Sequence, residues 1–188
     1  QGVAEIFGPE QGRRLGLEGM IGQIIKGVEG QVISRAPGDI QQLSPEAPAT
    51  VARLISWLEA CGPDDGASLV QARKLLDARA AGRSAPVVGI TGTGGAGKSS
   101  VVDELVRRFR LDFPEAKLGL LLVDPTRRRS GGALLGDRIR LNAVHGGSVF
   151  VRSLATRQAN RSVSESVQDA VRVMRAAGFD LVVVETAG

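Results

Sequence analysis

The glycine-rich stretch GTGGAGKS at residues 92–99, directly after the apolar and β-branched run PVVGIT, constrains the fold more than any other feature. Its spacing fits G-x-x-x-x-G-K-[ST], the phosphate-binding loop, in which glycines allow backbone amides to turn inward around a polyphosphate. A helix that begins near Gly97 would add unpaired N–H groups and the positive end of its dipole. The pattern predicts a buried strand over residues 86–91, then the loop, then a helix over residues 99–110.

The residues of this loop have separate expected roles. Gly94 and Gly95 allow amides to surround the phosphates. Lys98 brings a positive charge to the β- and γ-phosphates, and the Ser99 hydroxyl suits Mg²⁺. The alternative is a glycine-rich turn that matches by chance, and the strand and amphipathic helix predicted on either side argue against it.

Four apolar runs are predicted to form parallel strands, and they alternate with stretches of helical spacing. The strands are expected at residues 87–91, 118–124, 148–152 and 181–186, and a further helix at residues 164–177. This alternation predicts the α/β class, here part of the doubly wound parallel sheet of a P-loop NTPase. Ligands bind outside the carboxyl ends of such strands, so Gly92, Asp124 and Glu185 are expected to converge.

Two of these strands end in an acidic residue suited to a metal ion. Asp124 follows LLLV, and Glu185 lies in VVVETAG, which is similar to an acid-x-x-Gly element whose carboxylate reaches Mg²⁺ directly or through water. Asp is usual at that place, and Glu185 is one methylene longer. The alternative for each acid is a strand end that faces solvent, which the expected position beside the phosphate-binding loop disfavours.

The segment between these acids, RRRSGGALLGDRIR at residues 127–140, has the composition of a mobile nucleotide-sensing loop. Paired glycines allow it to open, and basic residues allow it to close on Mg²⁺ and phosphate. Asp137 is expected to contact the metal or its water, and Arg140 a phosphate or the guanine nucleotide. An ion pair between these two residues explains Arg140 almost as well. Residues 127–129 are the basic residues to test as an arginine finger.

The sequence before residue 86 has a different character. The triplet SPE at residues 44–46 signals a helix start, and apolar residues on one helical face follow it. A break at residues 62–66 precedes a second helix over about residues 67–81. We interpret this part of the chain as a helical linker.

A strand and a helix are predicted further upstream, at residues 3–7 and 11–26. They are expected to be the last strand–helix unit of a preceding domain. The expected division is therefore the end of one domain at 1–30, a helical linker at 31–85 and the α/β domain at 86–188.

The composition of the chain limits the cellular compartments and the binding partners that we expect for it. The chain has 188 residues and one cysteine, Cys61, so it cannot form an internal disulfide. No apolar run reaches the roughly eighteen residues of a membrane span and no signal peptide is visible, so the cytoplasm is the expected location. The net charge is +4, but with no Tyr, one Trp and five Phe the chain offers few stacking platforms. Neither nucleic acid nor a membrane is an expected partner.

Three signatures together resemble a known family. GITGTGGAGKSS, LLLVDPTRRRSGGALLGDRIRL and AAGFDLVVVETAG are similar to the GTPases that act as chaperones of adenosylcobalamin-dependent acyl-CoA mutases, the methylmalonyl-CoA mutase-associated group. Within it, TGTGGAGKSS and AEIFGPEQGRRLGLEGMIGQII resemble the branch in which the GTPase is fused to an isobutyryl-CoA mutase. A cobalamin-binding domain precedes a helical linker there, so the resemblance implies that residues 1–30 are the C-terminal end of such a domain.

The resemblance also implies the ligands and the residues that hold them. GTP or GDP and Mg²⁺ would bind this segment, and adenosylcobalamin would bind outside it. Lys98 and Asp137 are the expected catalytic residues. The nucleotide would contact Gly94, Gly95, Ala96, Gly97, Lys98, Ser99 and Arg140, and the metal would contact Ser99, the backbone of Val123, Asp124, Asp137, Glu185 and Thr186.

The implied activity is slow GTP hydrolysis that gates loading and protection of the cobalamin, while the mutase part interconverts isobutyryl-CoA and n-butyryl-CoA. A homodimer is expected. The Asn-Lys-x-Asp element that recognises guanine and the Asp-x-His-x-x-Gly element that ligates cobalt are absent. The chain is therefore expected to be a piece of a longer polypeptide that hydrolyses GTP poorly by itself. The alternatives are a stand-alone GTPase chaperone of a separate methylmalonyl-CoA-type mutase, and a small-molecule kinase, for which no lid or substrate base is recognisable.

Overall fold

The computed structural model describes residues 6–29, 37–61, 65–124, 147–155 and 163–187. The chain divides into two compact units, Gln1–Ser34 and Arg35–Gly188. In the first unit, helix α1 (Pro9–Glu29) confirms the helix predicted at residues 11–26 and contains non-helical backbone at Gly16, where φ is 62°. Ile6 and Phe7 have no regular secondary structure, and the rest of the strand predicted at residues 3–7 lies outside the described residues.

The second unit contains a four-stranded parallel sheet. Its strands are β1 (Val87–Gly92), β2 (Leu118–Asp124), β3 (Val149–Ala155) and β4 (Leu181–Ala187), in the spatial order β1-β4-β2-β3. All three neighbouring pairs are parallel, so the carboxyl ends of the strands lie along one edge of the sheet. The predicted parallel α/β sheet is confirmed.

Helices pack on both faces of this sheet. Helices α2 (Pro48–Ala60) and α3 (Gly66–Ala80) share a hydrophobic core with one face, together with a later helix, Val163–Ala177. Helix α4 (Lys98–Asp112) packs Val102 and Val106 on the other face. We number the later helix α5 and refer to the two sides of the sheet as the α5 face and the α4 face. Parallel sheets need cover on both faces because both carry apolar side chains.

Strand β1 lies where it was predicted but is less buried than expected. In the described part of the chain β1 pairs with β4 only, so it forms an edge of the sheet. Val87 and Val88 point to opposite faces and are 40% and 41% exposed. The expectation of a buried strand at residues 86–91 is therefore wrong for this part of the molecule, since one side of β1 has no neighbouring strand among the described residues.

Two element ends differ from their predicted positions for local reasons. Helix α2 begins at Pro48, because the Glu46 amide donates to the Ser44 hydroxyl at 3.2 Å in a separate turn and proline suits the first helical turn. Strand β3 continues to Ala155 instead of ending at Arg152. The Arg152 guanidinium contacts Glu59 of α2 at 2.7 Å, and this ion pair allows the strand to continue past the charged residue.

Arginine side chains attach α2 and α3 to the rest of the second unit. Arg73 of α3 donates two hydrogen bonds of 2.8 Å to Asp169 of α5. Arg152 of β3 donates to Ser56 and Glu59 of α2 at 2.9 Å and 2.7 Å. The helical linker at 31–85 stays a prediction as a functional division, but its described helices belong to the core of the α/β unit.

Candidate nucleotide-binding site

The loop between β1 and α4 has the backbone geometry that its glycines allow. Gly95 and Gly97 have φ of 80° and 81°, in the left-handed region where other residues are strained. Gly97 directly precedes α4, so the first turn of that helix offers its unpaired N–H groups at the loop. Strand, loop and helix thus occur in the arrangement that binds phosphate in P-loop proteins.

A pocket of 460 Å³ opens beside this loop. Its volume is within the range of about 300–1,000 Å³ that is usual for small-molecule sites. Most of the predicted phosphate-binding residues line it, whereas Gly94 lies in the same loop without lining the pocket, and Arg140 lies outside the described residues. The lining residues are Gly95, Ala96, Gly97, Lys98, Ser99, Ser100, Asp103 and Glu104.

Lys98 extends back over the loop from the first position of α4. Its Nζ donates to the carbonyl oxygens of Gly92 and Thr93 at 2.5 Å and 2.9 Å. A lysine ammonium has three N–H donors, so these two contacts leave one for a ligand. The loop carbonyls therefore hold the positive charge at the pocket while a donor stays available for a phosphate oxygen.

Ser99 and Glu185 come together from distant parts of the chain. The Ser99 hydroxyl, in the first turn of α4, donates to Oε1 of Glu185 near the end of β4 at 2.8 Å. Because the hydroxyl hydrogen is used in this contact, the oxygen lone pairs remain available to a cation. A hydroxyl and a carboxylate are the hard oxygen donors that Mg²⁺ prefers, so this pair fits the predicted metal.

The other residues that were predicted to contact the metal lie in different parts of the chain, and not all of them are described. Val123 pairs with Thr186 in the sheet, and its side chain is buried in the core of the α5 face, so only its backbone is suited to a ligand. Asp124 ends β2 opposite Ala155 of β3. Asp137 lies outside the described residues, as do residues 127–129. Among the residues that are described, no three His, Cys, Asp or Glu side chains form a metal-binding cluster.

Two acidic residues of α4 line the pocket without having been predicted. Asp103 and Glu104 lie about one helical turn after Ser99 and Ser100, and this i, i+4 spacing was the available signal. Hydrogen bonds from Arg107, and then from Arg108, lower the pKa of Glu104 to about 2. Glu104 is therefore ionised at neutral pH, and two arginines balance its charge at the pocket.

Known proteins match this chain over all or most of its length. A family model described as Methylmalonyl Co-A mutase-associated GTPase MeaB matches residues 51–188. A fused isobutyryl-CoA mutase of Geobacillus kaustophilus is 45% identical over 100% of this chain and 17% of its own length. One of Cupriavidus metallidurans is 47% identical, again over 100% of this chain and 17% of its own length. The chain thus spans 17% of the length of these relatives.

A solved structure supports the fold. The crystal structure of an LAO/AO transport system kinase is similar with a TM-score of 0.56 and 26% sequence identity, over 80% of this chain and 42% of that one. The family match includes the phosphate-binding loop and the strands that contain Asp124 and Glu185, which are segments that carried the sequence resemblance. The chain belongs to the family of methylmalonyl-CoA mutase-associated GTPases.

Proposed function

We propose that this chain is the GTP-binding and GTP-hydrolysing chaperone part of an adenosylcobalamin-dependent acyl-CoA mutase that interconverts isobutyryl-CoA and n-butyryl-CoA. GTP turnover here would gate loading and protection of the cobalamin, which binds outside this segment. The observation that carries the nucleotide part of the proposal is the contact of 2.8 Å between Ser99 and Glu185 beside the glycine loop. It joins a phosphate-loop hydroxyl to a strand-end carboxylate, the combination that holds a nucleotide-bound Mg²⁺.

Each residue of the loop then has a specific task. The amides around Gly95 and Gly97 bind phosphate oxygens, and Lys98 adds its third N–H donor and its charge. Glu185 orients the Ser99 hydroxyl so that its lone pairs face the cation. Mg²⁺, when bound, neutralises charge on the phosphates.

The remaining predicted residues complete the proposal. Asp124 and Asp137, with the Val123 backbone and Thr186, would add oxygen ligands or hold metal-bound water. Arg140 would assist the phosphates, and Asp137 would act with Lys98 in hydrolysis. These assignments come from the family resemblance.

The extent of the match favours a fused protein over the second candidate, a stand-alone chaperone of a separate mutase. The family model begins at residue 51, whereas the fused isobutyryl-CoA mutases align with the whole chain. Residues 1–30, which fall in the first unit, Gln1–Ser34, would then be the C-terminal end of a cobalamin-binding domain. The proposal also includes a homodimer and a cytoplasmic location. No helix in the described ranges is long and apolar enough to cross a membrane.

Nucleotide binding by matched lysine variants of the full-length protein tests the site. Lys98→Ala should weaken GTP binding about tenfold to a hundredfold, since hydrogen bonds to charged groups contribute about 1.5–3 kcal/mol. Lys117→Ala is the control, because Lys117 is a surface lysine 3.6 Å from Glu46 and does not line the pocket. Undiminished affinity in Lys98→Ala would refute the loop assignment.

A second assay tests the mutase and chaperone parts of the proposal. It measures isomerisation of isobutyryl-CoA by the full-length protein with adenosylcobalamin, with and without GTP and Mg²⁺. Turnover that responds to GTP supports an internal chaperone. Absence of turnover, together with GTP hydrolysis that accelerates when a separate mutase is added, would favour the stand-alone candidate.

A further inference from the structure

Arg107 and Arg108 of α4 have none of the predicted roles, yet both contact a residue in the wall of the nucleotide pocket. The carboxylate of Glu104, which lines the pocket, accepts from Arg107 at 2.7 and 2.8 Å and from Arg108 at 2.7 Å. The two arginine side chains are 53% and 71% exposed. Ion pairs as exposed as these contribute little to stability. Their position beside a phosphate-binding loop suggests that they act on the ligand instead.

Glu104, Arg107 and Arg108 together carry a net positive charge, and we call them the arginine patch. Arginine stays protonated at any pH at which the protein is folded. The lowered pKa of Glu104, about 2, keeps its carboxylate ionised at neutral pH. Two positive charges and one negative charge leave a net charge of +1. The hydrogen bonds to Glu104 hold this charge at the rim of the pocket.

The arginine patch is close enough to the loop for its charge to act on a nucleotide that approaches the pocket. Glu104 follows Lys98 by six positions in α4, which is about 9 Å along the axis at a rise of about 1.5 Å per residue. Charges about 10 Å apart attract each other well at low ionic strength, where the Debye length is about 30 Å at 0.01 M. At 0.15 M the Debye length falls to about 8 Å, so salt should weaken the attraction.

We propose that the arginine patch steers nucleoside triphosphates into the pocket by attracting their phosphates. Charges at the rim of a binding site act mainly on the association rate and on its dependence on salt. Because GTP carries one more negative charge than GDP, the patch would favour capture of the triphosphate. The inference rests on the proposed function, since it takes GTP as the ligand of this pocket.

Stopped-flow association of a fluorescent GTP analogue with the full-length protein, in the presence of Mg²⁺, tests the steering. Arg107→Gln combined with Arg108→Gln changes the net charge of the patch from +1 to −1. For a Mg²⁺-bound ligand of charge about −2 at about 10 Å, screened attraction predicts association about eightfold slower at 0.01 M ionic strength and about twofold slower at 0.15 M. The GDP analogue should be slowed only about threefold at 0.01 M, because its complex carries about half the charge. Dissociation should keep its wild-type rate.

Three further variants separate charge from shape. Arg107→Lys combined with Arg108→Lys keeps both charges and should restore wild-type association. Glu104→Gln removes the negative charge of the patch and should speed association about threefold at 0.01 M ionic strength. Lys74→Ala is the control, because it removes an exposed positive charge from α3, which packs on the opposite side of the sheet from α4. It should change the association rate far less than the arginine double variant.

Wild-type association of the Arg107→Gln and Arg108→Gln double variant at 0.01 M ionic strength would overturn the inference. Equal slowing at low and high ionic strength would also overturn it, as would failure of the lysine pair to restore the rate, since both results would indicate a local structural effect. A wild-type protein that binds GTP at a rate independent of salt would refute the steering and leave the proposed function intact. Absence of GTP binding by the wild type would refute both.

Discussion

Asp169 and Glu104 allow the effect of burial on an ion pair to be measured in one protein. Among the residues that the structure describes, each carboxylate accepts three short hydrogen bonds from two arginines. Asp169 accepts from Arg73 at 2.8 Å twice and from Arg172 at 3.0 Å. Glu104 accepts from Arg107 at 2.7 and 2.8 Å and from Arg108 at 2.7 Å. The Asp169 side chain is 2% exposed and the Glu104 side chain 45% exposed, so only the first interaction is removed from water.

Asp169→Asn should therefore be strongly destabilising, while Glu104→Gln should be nearly neutral. Breaking a buried pair costs about 3–5 kcal/mol, because the remaining charges stay buried without their partner. Arg73 and Arg172 are 27% and 33% exposed, which favours the lower end, about 3 kcal/mol. Exposed pairs contribute little, because water and salt screen them.

Amide hydrogen exchange in the full-length protein measures the difference locally. Asp169 joins α5 to α3, so Asp169→Asn should accelerate exchange in these two helices. A loss of about 3 kcal/mol corresponds to about a hundredfold faster exchange, at 1.4 kcal/mol for each factor of ten. Glu104→Gln should leave exchange in α4 close to wild type. Equal acceleration by both substitutions, or none in Asp169→Asn, would refute the reasoning from burial.

Three further predictions concern the loop side of the sheet. Gly97→Ala should weaken GTP binding about tenfold in calorimetric titrations, since a Cβ at φ 81° costs about 1–2 kcal/mol; unchanged affinity would contradict the need for glycine. Glu185→Asp should raise the Mg²⁺ requirement for GTP binding, because the shorter carboxylate withdraws from Ser99, now at 2.8 Å; a wild-type requirement would exclude that role. The pKa of Glu104, lowered from 4.5 to about 2, predicts a small stabilisation that is complete above pH 4.5 and lost as the pH falls towards 2. At low salt the stability difference between the wild type and Glu104→Gln should stay constant above pH 4.5 and change only in this window.

The parts of the fold that the sequence predicted well depend on local patterns. The glycine loop, the helix after it and the four parallel strands each follow from spacing within a few residues. The errors arose where a distant residue decided the outcome. Strand β3 continues through Arg152 because Glu59, far away in the sequence, neutralises it, and β1 is exposed because of its place at the sheet edge.

The candidate site likewise combines residues that local patterns predict with a contact that they do not predict. Ser99 and Glu185 were each predictable, since one ends a phosphate-loop motif and the other directly follows the apolar run LVVV. Their direct hydrogen bond of 2.8 Å depends on β4 lying next to β1, which no local pattern specifies.

The sheet also shows why a boundary in sequence character and a folding boundary need not coincide. The chain changes character near residue 86, yet the compact unit that contains the sheet is Arg35–Gly188. The α5 face is covered in large part by apolar residues of the preceding helical segment, each at most 4% exposed: Ile40, Leu43, Val51, Leu54, Ile55, Leu58, Ala72, Leu76 and Ala85. A sheet without this cover would expose a continuous apolar surface, which favours aggregation. The helices of this segment therefore cover the sheet as part of the same folded unit.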